Sequence, residues 1–451
     1  MKVISKANNS ILTILSGFRQ YGVCNRWSQF CIKTTVAEGV LIFNMLTREL
    51  ILLDQKEYAQ YTELEYLHKH WFLISENVKE KDLADYLRFV LANRQTNDPE
   101  ITSYTIFTTT DCNARCFYCF ELGGSHVTMS PETAEKVVRY IKIHSGDKKV
   151  NIGWFGGEPL LNTKAIDTIA QGLQREGIKF SSHMISNGYL FDADTIYKAV
   201  SSWKLNKVQI TLDGTESIYN RIKAYTYQNT NPFEIVMNNI SCLLDANIRV
   251  SIRLNIGLHN AEDLLLLANE LSYRFRGMTG ISVYTHYLFR RNISDAQLYS
   301  DEKWESLEIA MQQLNDALEI YGLLPHKGIP KNIKFNHCMA DSGSAITILP
   351  DGHVGLCEHY TDSEFVGHID QGYIDATMAE SWKEKMPEIP ECAGCFYYLD
   401  CIRLKKCHNT RECHEVFRRQ RLTSVRKAMQ YEYVEWKKTI ETGQGADNEY
   451  L

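Results

Sequence analysis

The chain has 451 residues, of which 44% are apolar and 23% charged, and its formal net charge is −6. A single core rarely grows beyond about 250–300 residues, so this length favours two or three domains of ordinary globular composition. The negative charge disfavours a protein that binds nucleic acid by neutralising phosphates. No run of 18 apolar residues and no apolar signal region at the start are present, so we expect a cytoplasmic protein without a membrane segment.

Thirteen cysteines in such a chain indicate metal binding rather than disulfides. Three of them, Cys24, Cys31 and Cys242, are scattered and are interpreted as ordinary buried thiols. The other ten fall into two clusters, one in the second hundred residues and one near the carboxyl end. This distribution predicts two separate metal-binding regions.

The first 98 residues carry no metal-binding pattern. Residues 36–53 read as a β-hairpin, because two apolar runs flank a short polar stretch. Residues 56–77 and 79–94 have helical patterns, and the polar stretch 93–99 is a predicted linker. We therefore expect a small α+β domain over residues 1–98.

From residue 104 onward, short apolar strands alternate with helices of about 12–15 residues. Six such repeats favour parallel βα units, and hence an α/β fold with a partial (β/α)6 barrel of the TIM type over residues 99–325. The predicted strands are 105–109, 149–154, 179–185, 207–212, 249–256 and 280–288. The predicted helices are 130–145, 164–176, 193–202, 232–246 and 260–274. Functional residues of such folds lie at the carboxyl ends of the strands.

Beyond a predicted helix at 302–321, the chain changes character again. Residues 326–415 are rich in loops and hold seven cysteines. Residues 416–451 are charged and helix-prone, and they end in a polar stretch that we expect to fray.

The first cysteine cluster is Cys112-Asn-Ala-Arg-Cys116-Phe-Tyr-Cys119, at the end of the first predicted barrel strand. Three thiols are one short of a closed tetrahedral zinc site, and they leave one iron of a 4Fe–4S cube without a protein ligand. An iron with an open position can chelate a small molecule and pass it an electron. The alternative interpretation is a structural metal loop or a chance grouping of cysteines.

This spacing, with an aromatic residue before the last thiol, resembles the signature of the radical S-adenosylmethionine (SAM) enzymes. The resemblance implies that the three cysteines hold a 4Fe–4S cluster at which SAM is reductively cleaved to a 5′-deoxyadenosyl radical. It also implies SAM-binding positions along the carboxyl ends of the strands. These positions are Tyr118, Gly156, Gly157, Glu158, Ser186, Asn187, Thr211 and Lys223.

Within that set, the resemblance assigns the methionyl amino group of SAM to the Gly-Gly-Glu segment and the ribose hydroxyls to Thr211. The family often has an arginine where this chain has Lys223, and a lysine keeps the charge but loses the bidentate fork. On the fifth strand, Arg253 and Asn255 either face the cavity or are solvated.

The second cluster comprises Cys338, Cys357, Cys392, Cys395, Cys401, Cys407 and Cys413. From the residues alone, Cys392 and Cys395 form a two-thiol knuckle that two later cysteines could close around zinc or iron. The whole pattern resembles the SPASM domain, which binds two auxiliary 4Fe–4S clusters. It departs from that pattern between Cys401 and Cys407, where five residues intervene and three are usual.

The SPASM resemblance implies a ligand set for each auxiliary cluster, and therefore three 4Fe–4S clusters in the chain. The distal cluster would be held by Cys392, Cys395, Cys401 and Cys413. The proximal cluster would be held by Cys338, Cys357 and Cys407, which leaves it one ligand short. A fourth ligand could be His337 or the thiolate of a substrate, which ligation to iron would deprotonate.

Radical SAM proteins with a SPASM domain mostly modify peptides or proteins. The resemblance therefore implies a maturase that forms a thioether or carbon–carbon crosslink in a ribosomally made precursor peptide, or epimerises one of its residues. In such maturases a winged-helix-like element binds the leader peptide by strand addition, which is the role expected for residues 1–98. The expected electron donor is a flavodoxin or a ferredoxin.

Two alternatives remain open at this point. In an anaerobic sulfatase-maturing type of enzyme, which oxidises a Cys or Ser of a protein, Glu358 directly after Cys357 would be the catalytic base. The alternative from another class is an iron–sulfur electron carrier without substrate chemistry.

Overall fold

The computed structural model describes residues 1–18, 20, 24–95, 100–119, 121, 124–288, 301–333, 338–359, 364–402, 404–407, 413 and 415–442. Among these residues, no helix combines the length and the apolar character needed to cross a membrane.

The N-terminal part of the chain forms two small antiparallel sheets. Their strands are β1 (Lys2–Ser5), β2 (Cys24–Trp27), β3 (Cys31–Val36), β4 (Gly39–Asn44), β5 (Glu49–Leu53) and β6 (Leu73–Ser75). One sheet has the order β1-β5-β4-β3, and β2 pairs with β6 in the other. Strands β4 and β5 are antiparallel neighbours, so the predicted hairpin is confirmed.

Both faces of the hairpin strands are buried, which explains why they read as continuous apolar runs rather than alternating ones. One face packs with Leu67, Phe72 and Leu73 of the same N-terminal part. The opposite face packs with Val425 and Met429 from near the carboxyl end of the chain. One face of the N-terminal sheet is therefore covered by N-terminal residues, and the other by residues from near the carboxyl end of the chain.

Among the described residues, the α-helices that accompany these strands are α1 (Asn9–Leu15), α2 (Gln55–Ala59), α3 (Glu65–Lys69) and α4 (Glu80–Gln95). The prediction of a helix over 79–94 is confirmed. The prediction of helix over 56–77 is wrong in its last part, because β6 pairs with β2 there and the local helical pattern yields to that pairing. The predicted linker begins inside α4, and residues 96–99 lie outside the described residues.

Six parallel strands in chain order form the centre of the molecule, as the repeats predict. They are β7 (Ser103–Thr109), β8 (Val150–Gly156), β9 (Phe180–Ser186), β10 (Leu205–Leu212), β11 (Arg249–Ile256) and β12 (Ile281–Tyr287). Each pairs in parallel with the next one along the chain. The α/β fold class with its partial barrel is confirmed.

Within the part of the chain that the structure describes, seven α-helices connect or follow these strands. They are α5 (Pro131–His144), α6 (Thr163–Arg175), α7 (Ala193–Ser201), α8 (Glu216–Lys223), α9 (Pro232–Asp245), α10 (Ala261–Arg274) and α11 (Asp301–Ile320). Ser130 caps α5 by accepting the Thr133 N–H, as its position before the helix predicts. Helix α8 was not predicted.

The carboxyl-terminal part continues the barrel sheet instead of standing apart from it. Its elements are α12 (Met339–Ser342), β13 (Ala345–Ile348), β14 (His353–Gly355), β15 (Gly367–His368), α13 (Ala376–Ser381) and α14 (Glu415–Glu441). Strand β13 pairs in parallel with β7, and β14 and β15 add antiparallel strands beyond it. The sheet therefore has nine strands, with β7 in its interior.

Candidate functional site

The three cysteines of the first cluster lie in the loop that follows β7, at the carboxyl edge of the parallel strands. The loop is ordered locally, since the Asp111 side chain accepts the Cys112 N–H at 2.9 Å and the Cys116 carbonyl accepts the Cys119 N–H at 3.1 Å. Burial raises the pKa of Cys112 to about 12 and that of Cys119 to about 11. The thiols therefore lose their protons at neutral pH only when a cation replaces them, which suits a metal site.

Backbone hydrogen bonds anchor the same loop to the end of α8. The Arg115 N–H donates to the Lys223 carbonyl at 2.8 Å, and the Thr226 N–H donates to the Asn113 carbonyl at 2.9 Å. The unpredicted helix α8 is therefore part of the support of the cysteine loop.

The Gly156-Gly157-Glu158 segment at the end of β8 lies directly against this loop. The Gly157 N–H donates to the Thr109 carbonyl at 3.0 Å, and the Glu158 N–H donates to the Asp111 carbonyl at 2.8 Å. A Cβ on Gly156 would lie 2.1 Å from the Thr109 oxygen, and one on Gly157 would lie 2.3 Å from the Asp111 oxygen. These glycines were predicted to contact SAM. In the structure they have a second role, because only glycine permits the two backbones to approach so closely.

The carboxylate of Glu158 is fully buried between the ends of β8 and β9. The Ser186 hydroxyl donates to both of its oxygens at 3.0 Å, and the backbone N–H groups of Asn187 and Leu160 donate at 2.8 and 3.1 Å. All of these donors are neutral, and burial raises the pKa of Glu158 to about 7. A buried carboxylate with neutral partners favours an added cation such as an ammonium group.

Asn187 connects this carboxylate to the cysteine loop. Its side-chain N–H donates to Asn113 Oδ1 at 2.6 Å and lies 3.8 Å from the Cys112 sulfur. Glu158, Ser186 and Asn187, which come from two segments of the sequence prediction, thus meet beside the first cysteine. Asn113 was not among the predicted site residues, although it lies inside the cysteine spacing.

Lys223 forms a buried ion pair rather than a free cation. Its Nζ lies 3.0 Å from Asp213 Oδ2, and the two side chains are 4% and 1% exposed. The same Nζ donates to the Tyr118 hydroxyl at 3.0 Å, and that hydroxyl donates to Asp213 at 2.7 Å. Burial lowers the pKa of Lys223, but Asp213, Tyr118, Cys116 and Tyr219 together raise it well above the ordinary value. Lys223 was predicted to contact SAM, and Asp213, which directly follows β10, was not among the predicted site residues.

Polar side chains of the fifth barrel strand extend this network. Asn255 donates to Asp213 Oδ1 at 3.2 Å, and Arg253 donates to Asn255 at 2.9 Å. Arg253 also contacts a ring nitrogen of His286 at 2.9 Å. Thr211 lies opposite Arg253 in the β10–β11 register. Of the two possibilities left open for Arg253 and Asn255, the structure shows the one in which they face the site.

Within each of two sets, cysteines of the second cluster lie near one another. Burial raises the pKa of the Cys357 thiol, and the charges of Glu358, Cys338 and Cys407 raise it further. Burial likewise raises the pKa of the Cys395 thiol, with Cys413 and Cys392 adding to it. The assignment of these thiols to two auxiliary clusters stays a prediction.

Within the described ranges, no three His, Cys, Asp or Glu side chains converge closely enough to hold one metal ion. Each thiolate of a 4Fe–4S cube binds a different iron, so its ligands need not converge on one point. His337, the predicted fourth ligand of the proximal cluster, lies outside the described residues.

Glu358 lies with the Cys338 group and away from the SAM-type loop. Strand β14 runs antiparallel to β13, and Gly355 at the end of β14 pairs with Thr347 of β13. Thr347 in turn pairs with Thr105 of β7. Strand β14 therefore runs toward the amino ends of the parallel strands, whereas Cys112 follows their carboxyl ends.

A family model described as the radical SAM superfamily matches residues 106–271. This stretch runs from β7 to α10 and contains the cysteine loop, Glu158, Asn187 and the Lys223–Asp213 pair. Residues 106–271 therefore form a radical SAM domain. The prediction of such a domain is confirmed over this stretch.

Curated relatives match this chain, in two of the three cases below over only part of their own length. A probable GTP 3',8-cyclase of Methanococcus vannielii is 34% identical over 25% of this chain and 37% of its own. The radical SAM cyclopropyl synthase TigE of Paramaledivibacter caminithermalis is 27% identical over 33% of this chain and 37% of its own. A GTP 3',8-cyclase of Clostridium perfringens is 25% identical over 65% of this chain and 91% of its own. The chain thus spans well under half the length of the first two.

Solved structures show the same fold at low sequence identity. Native anSMEcpe with bound AdoMet and the Kp18Cys peptide has a TM-score of 0.54 at 14% identity, over 75% of this chain and 99% of its own. Streptococcus suis SuiB bound to the precursor peptide SuiA has a TM-score of 0.50 at 13% identity, over 83% of this chain and 94% of its own. These likenesses concern the fold.

The raised pKa of Glu158 predicts a pH-dependent stability. Because this pKa is about 7 in the folded chain and 4.5 ordinarily, the folded chain binds the proton more tightly, and its stabilising effect is lost as the pH rises through 7. Between pH 5.5 and 8 the loss is about 2 kcal/mol. The free energy of unfolding of the SAM-free protein can be measured with urea at pH 5.5 and at pH 8. Its fall between these two pH values should be smaller in Glu158→Gln than in the wild type by this amount.

The matched control is Glu176→Gln, which changes an exposed acid paired with Lys142. This variant should keep the pH dependence of the wild type. An equal fall for the wild type and Glu158→Gln would contradict the assignment.

Proposed function

We propose that this chain is a radical SAM peptide maturase that modifies a ribosomally made precursor peptide. The observation that carries the proposal is the convergence of the three-cysteine loop, Glu158 and Asn187 at the carboxyl ends of β7, β8 and β9. This site occurs in a chain with a separate N-terminal sheet and two further groups of cysteines. The proposed domains are residues 1–98 for leader recognition, 99–325 for the barrel and 326–415 for the auxiliary clusters, followed by the carboxyl-terminal helix and tail.

Cys112, Cys116 and Cys119 would hold a 4Fe–4S cluster whose fourth iron chelates SAM. When bound, the cluster and SAM supply a 5′-deoxyadenosyl radical that abstracts a hydrogen atom from the peptide. The residues present fit this group, because three buried thiols leave one iron open and the buried Glu158 carboxylate has only neutral donors to oppose a cation.

The chain's own groups have separate roles in this proposal. Glu158 binds the ammonium group of SAM, and Ser186 and Asn187 orient its carboxylate. The Lys223–Asp213 pair holds Tyr118, and with it the last turn of the cysteine loop, in one position. Lys223 therefore acts on SAM through the loop that it supports, while Thr211 remains the proposed contact to the ribose.

The leader peptide would add a strand to the outer edge of β3, beside which no other strand of the described residues pairs. Val36 and Gly39 pair directly across the two-residue turn, so the backbone groups of Val36 and Thr34 point to β4 and those of Thr35 and Lys33 point outward. Consistent with this, the Lys33 carbonyl accepts a hydrogen bond from the Arg426 side chain of α14 at 3.2 Å. A leader strand would therefore lie along β3 beside α14.

The bond formed in the peptide is proposed only as a class: a thioether or carbon–carbon crosslink, or an epimerised residue. The auxiliary clusters would be held by the two groups of carboxyl-terminal cysteines, and a flavodoxin or ferredoxin would supply electrons. The sulfatase-maturing alternative retains one supporting observation, the position of Glu358 beside Cys357 and Cys338.

Changing Cys112, Cys116 and Cys119 together to Ala should abolish SAM cleavage. The reconstituted wild type should hold about 12 iron atoms, and the variant about four fewer. The measurements are iron content and the 5′-deoxyadenosine formed with a chemical reductant. Production of 5′-deoxyadenosine by the variant would refute the proposal, and its absence from the wild type would favour a plain electron carrier.

Thr35→Pro should weaken leader binding about tenfold while SAM cleavage without peptide persists. Proline removes the outward N–H that a leader strand would use and leaves the ladder to β4 intact, and one orphaned hydrogen bond costs about 1–2 kcal/mol. Fluorescence anisotropy can measure affinity for a candidate precursor peptide taken from a small open reading frame beside the gene. Thr35→Ala, which keeps the N–H, is the control, and equal affinity of the proline and alanine variants would exclude strand addition at this edge.

Glu358→Gln should leave SAM cleavage without peptide intact and block formation of the modified peptide. The expected reason is loss of a base beside the proximal cysteines, since glutamine has similar size but no proton-accepting carboxylate. Mass spectrometry of the peptide gives the readout, with Glu380→Gln, an exposed acid paired with Lys383, as control. Full product formation by Glu358→Gln would remove this residue from the mechanism.

A further inference from the structure

A buried ion pair joins the N-terminal sheet to the cysteine-rich segment. Arg48, in the turn between β4 and β5, donates from Nη1 to Asp400 Oδ2 at 3.0 Å and from Nη2 to Oδ1 at 2.5 Å. The two side chains are 0% and 2% exposed, although 352 positions separate them in the chain. Asp400 directly precedes Cys401, which the SPASM resemblance assigns to the distal cluster.

A second arginine of the N-terminal part holds the same segment by its backbone. Arg88 of α4 donates to the Tyr398 carbonyl at 3.1 Å and to the Cys401 carbonyl at 3.0 Å. The Tyr398 hydroxyl donates to Asp85 of the same helix at 2.6 Å. Leu399, between these contacts, is fully buried in the core that the N-terminal sheet forms with α14. The segment 398–401 is therefore fixed on several sides by residues 48–88.

We propose that Arg48 is a positioning residue of the distal auxiliary cluster and neutralises the carboxylate beside it. This inference rests on the proposed assignment of Cys401 to that cluster. A 4Fe–4S cluster with four thiolate ligands carries net negative charge, and its reduction potential depends on the charges and hydrogen bonds around it. With Arg48 in place, the Asp400 charge is offset inside the protein; without it, a bare carboxylate would lie one residue from a ligand, in a poorly solvated site.

The N-terminal domain thereby becomes part of the distal cluster's site. The hairpin β4–β5 that carries Arg48 is continuous with β3, the proposed edge for the leader. The proposed leader edge and the arginine that contacts the segment before Cys401 therefore belong to one sheet. Removal of residues 1–98 would remove both arginines and would not test leader binding alone.

The test compares Arg48→Met, Asp400→Asn and the double variant in full-length reconstituted protein. The readouts are the iron content and the reduction potentials of the auxiliary clusters. The potentials are measured by electron paramagnetic resonance in proteins whose SAM-site cysteines are also changed to alanine. Arg48→Met should lose about four iron atoms or shift one auxiliary potential to more negative values, and Asp400→Asn should shift the same signal to more positive values. The double variant, which has neither charge, should return toward the wild type.

Three matched controls separate charge from packing. Arg48→Lys keeps the charge without the bidentate fork and should lie between the wild type and Arg48→Met. Lys142→Met breaks the exposed Lys142–Glu176 pair and should change neither iron content nor potential. The SAM-site cluster, measured in the same substitutions with its cysteines intact, should keep its response to SAM.

The inference is overturned if the double variant is as impaired as Arg48→Met, because packing rather than charge would then be responsible. It is also overturned if Asp400→Asn leaves every auxiliary potential unchanged, which decides the question even where Arg48→Met does not fold. Wild-type protein that holds only about four iron atoms would instead refute the proposed auxiliary clusters. The two failures are therefore distinguishable.

Discussion

The close approach of two backbone segments, the end of β8 and the loop after β7, is the constraint on which the site depends. Two backbone hydrogen bonds join them, and the missing side chains of Gly156 and Gly157 make the approach possible. This contact turns the Glu158 carboxylate inward, to where Ser186 and Asn187 meet it. A side chain at either glycine would separate the carboxylate from the cysteine loop, and both proposed contacts to SAM would be lost together.

Two buried ion pairs hold the remaining parts of the molecule in relation to this centre. Lys223–Asp213 fixes the cysteine loop against α8 and β10, and Arg48–Asp400 fixes the cysteine-rich segment against the N-terminal sheet. Removing one partner of such a pair is costly, by about 3–5 kcal/mol, because the other charge remains buried. Each pair therefore specifies one arrangement of distant segments more strongly than it adds to overall stability.

The position of β13 explains how the cysteine-rich segment is joined to the barrel. Because β13 pairs with β7, the strand that leads into the SAM-type loop also supports the second group of cysteines. The antiparallel β14 then runs back toward the amino ends of the parallel strands, and Cys357 and Glu358 follow it.

The sequence alone determined the six parallel strands, most of their helices and the three-cysteine loop, because strand and helix periodicities and ligand spacing are local properties of the chain. Through the resemblance to radical SAM enzymes it also predicted Glu158, Ser186 and Asn187 as site residues, and parallel strands bring the carboxyl ends of β8 and β9 to one edge. Tertiary structure decided what local pattern cannot express. Strand β6 formed where a helix was predicted, because Leu73 and Ile74 pair with β2. Lys223 became the partner of Asp213, and Arg48 the partner of a residue 352 positions away. In each case a long-range contact compensated a cost of burial that no short stretch of sequence reveals.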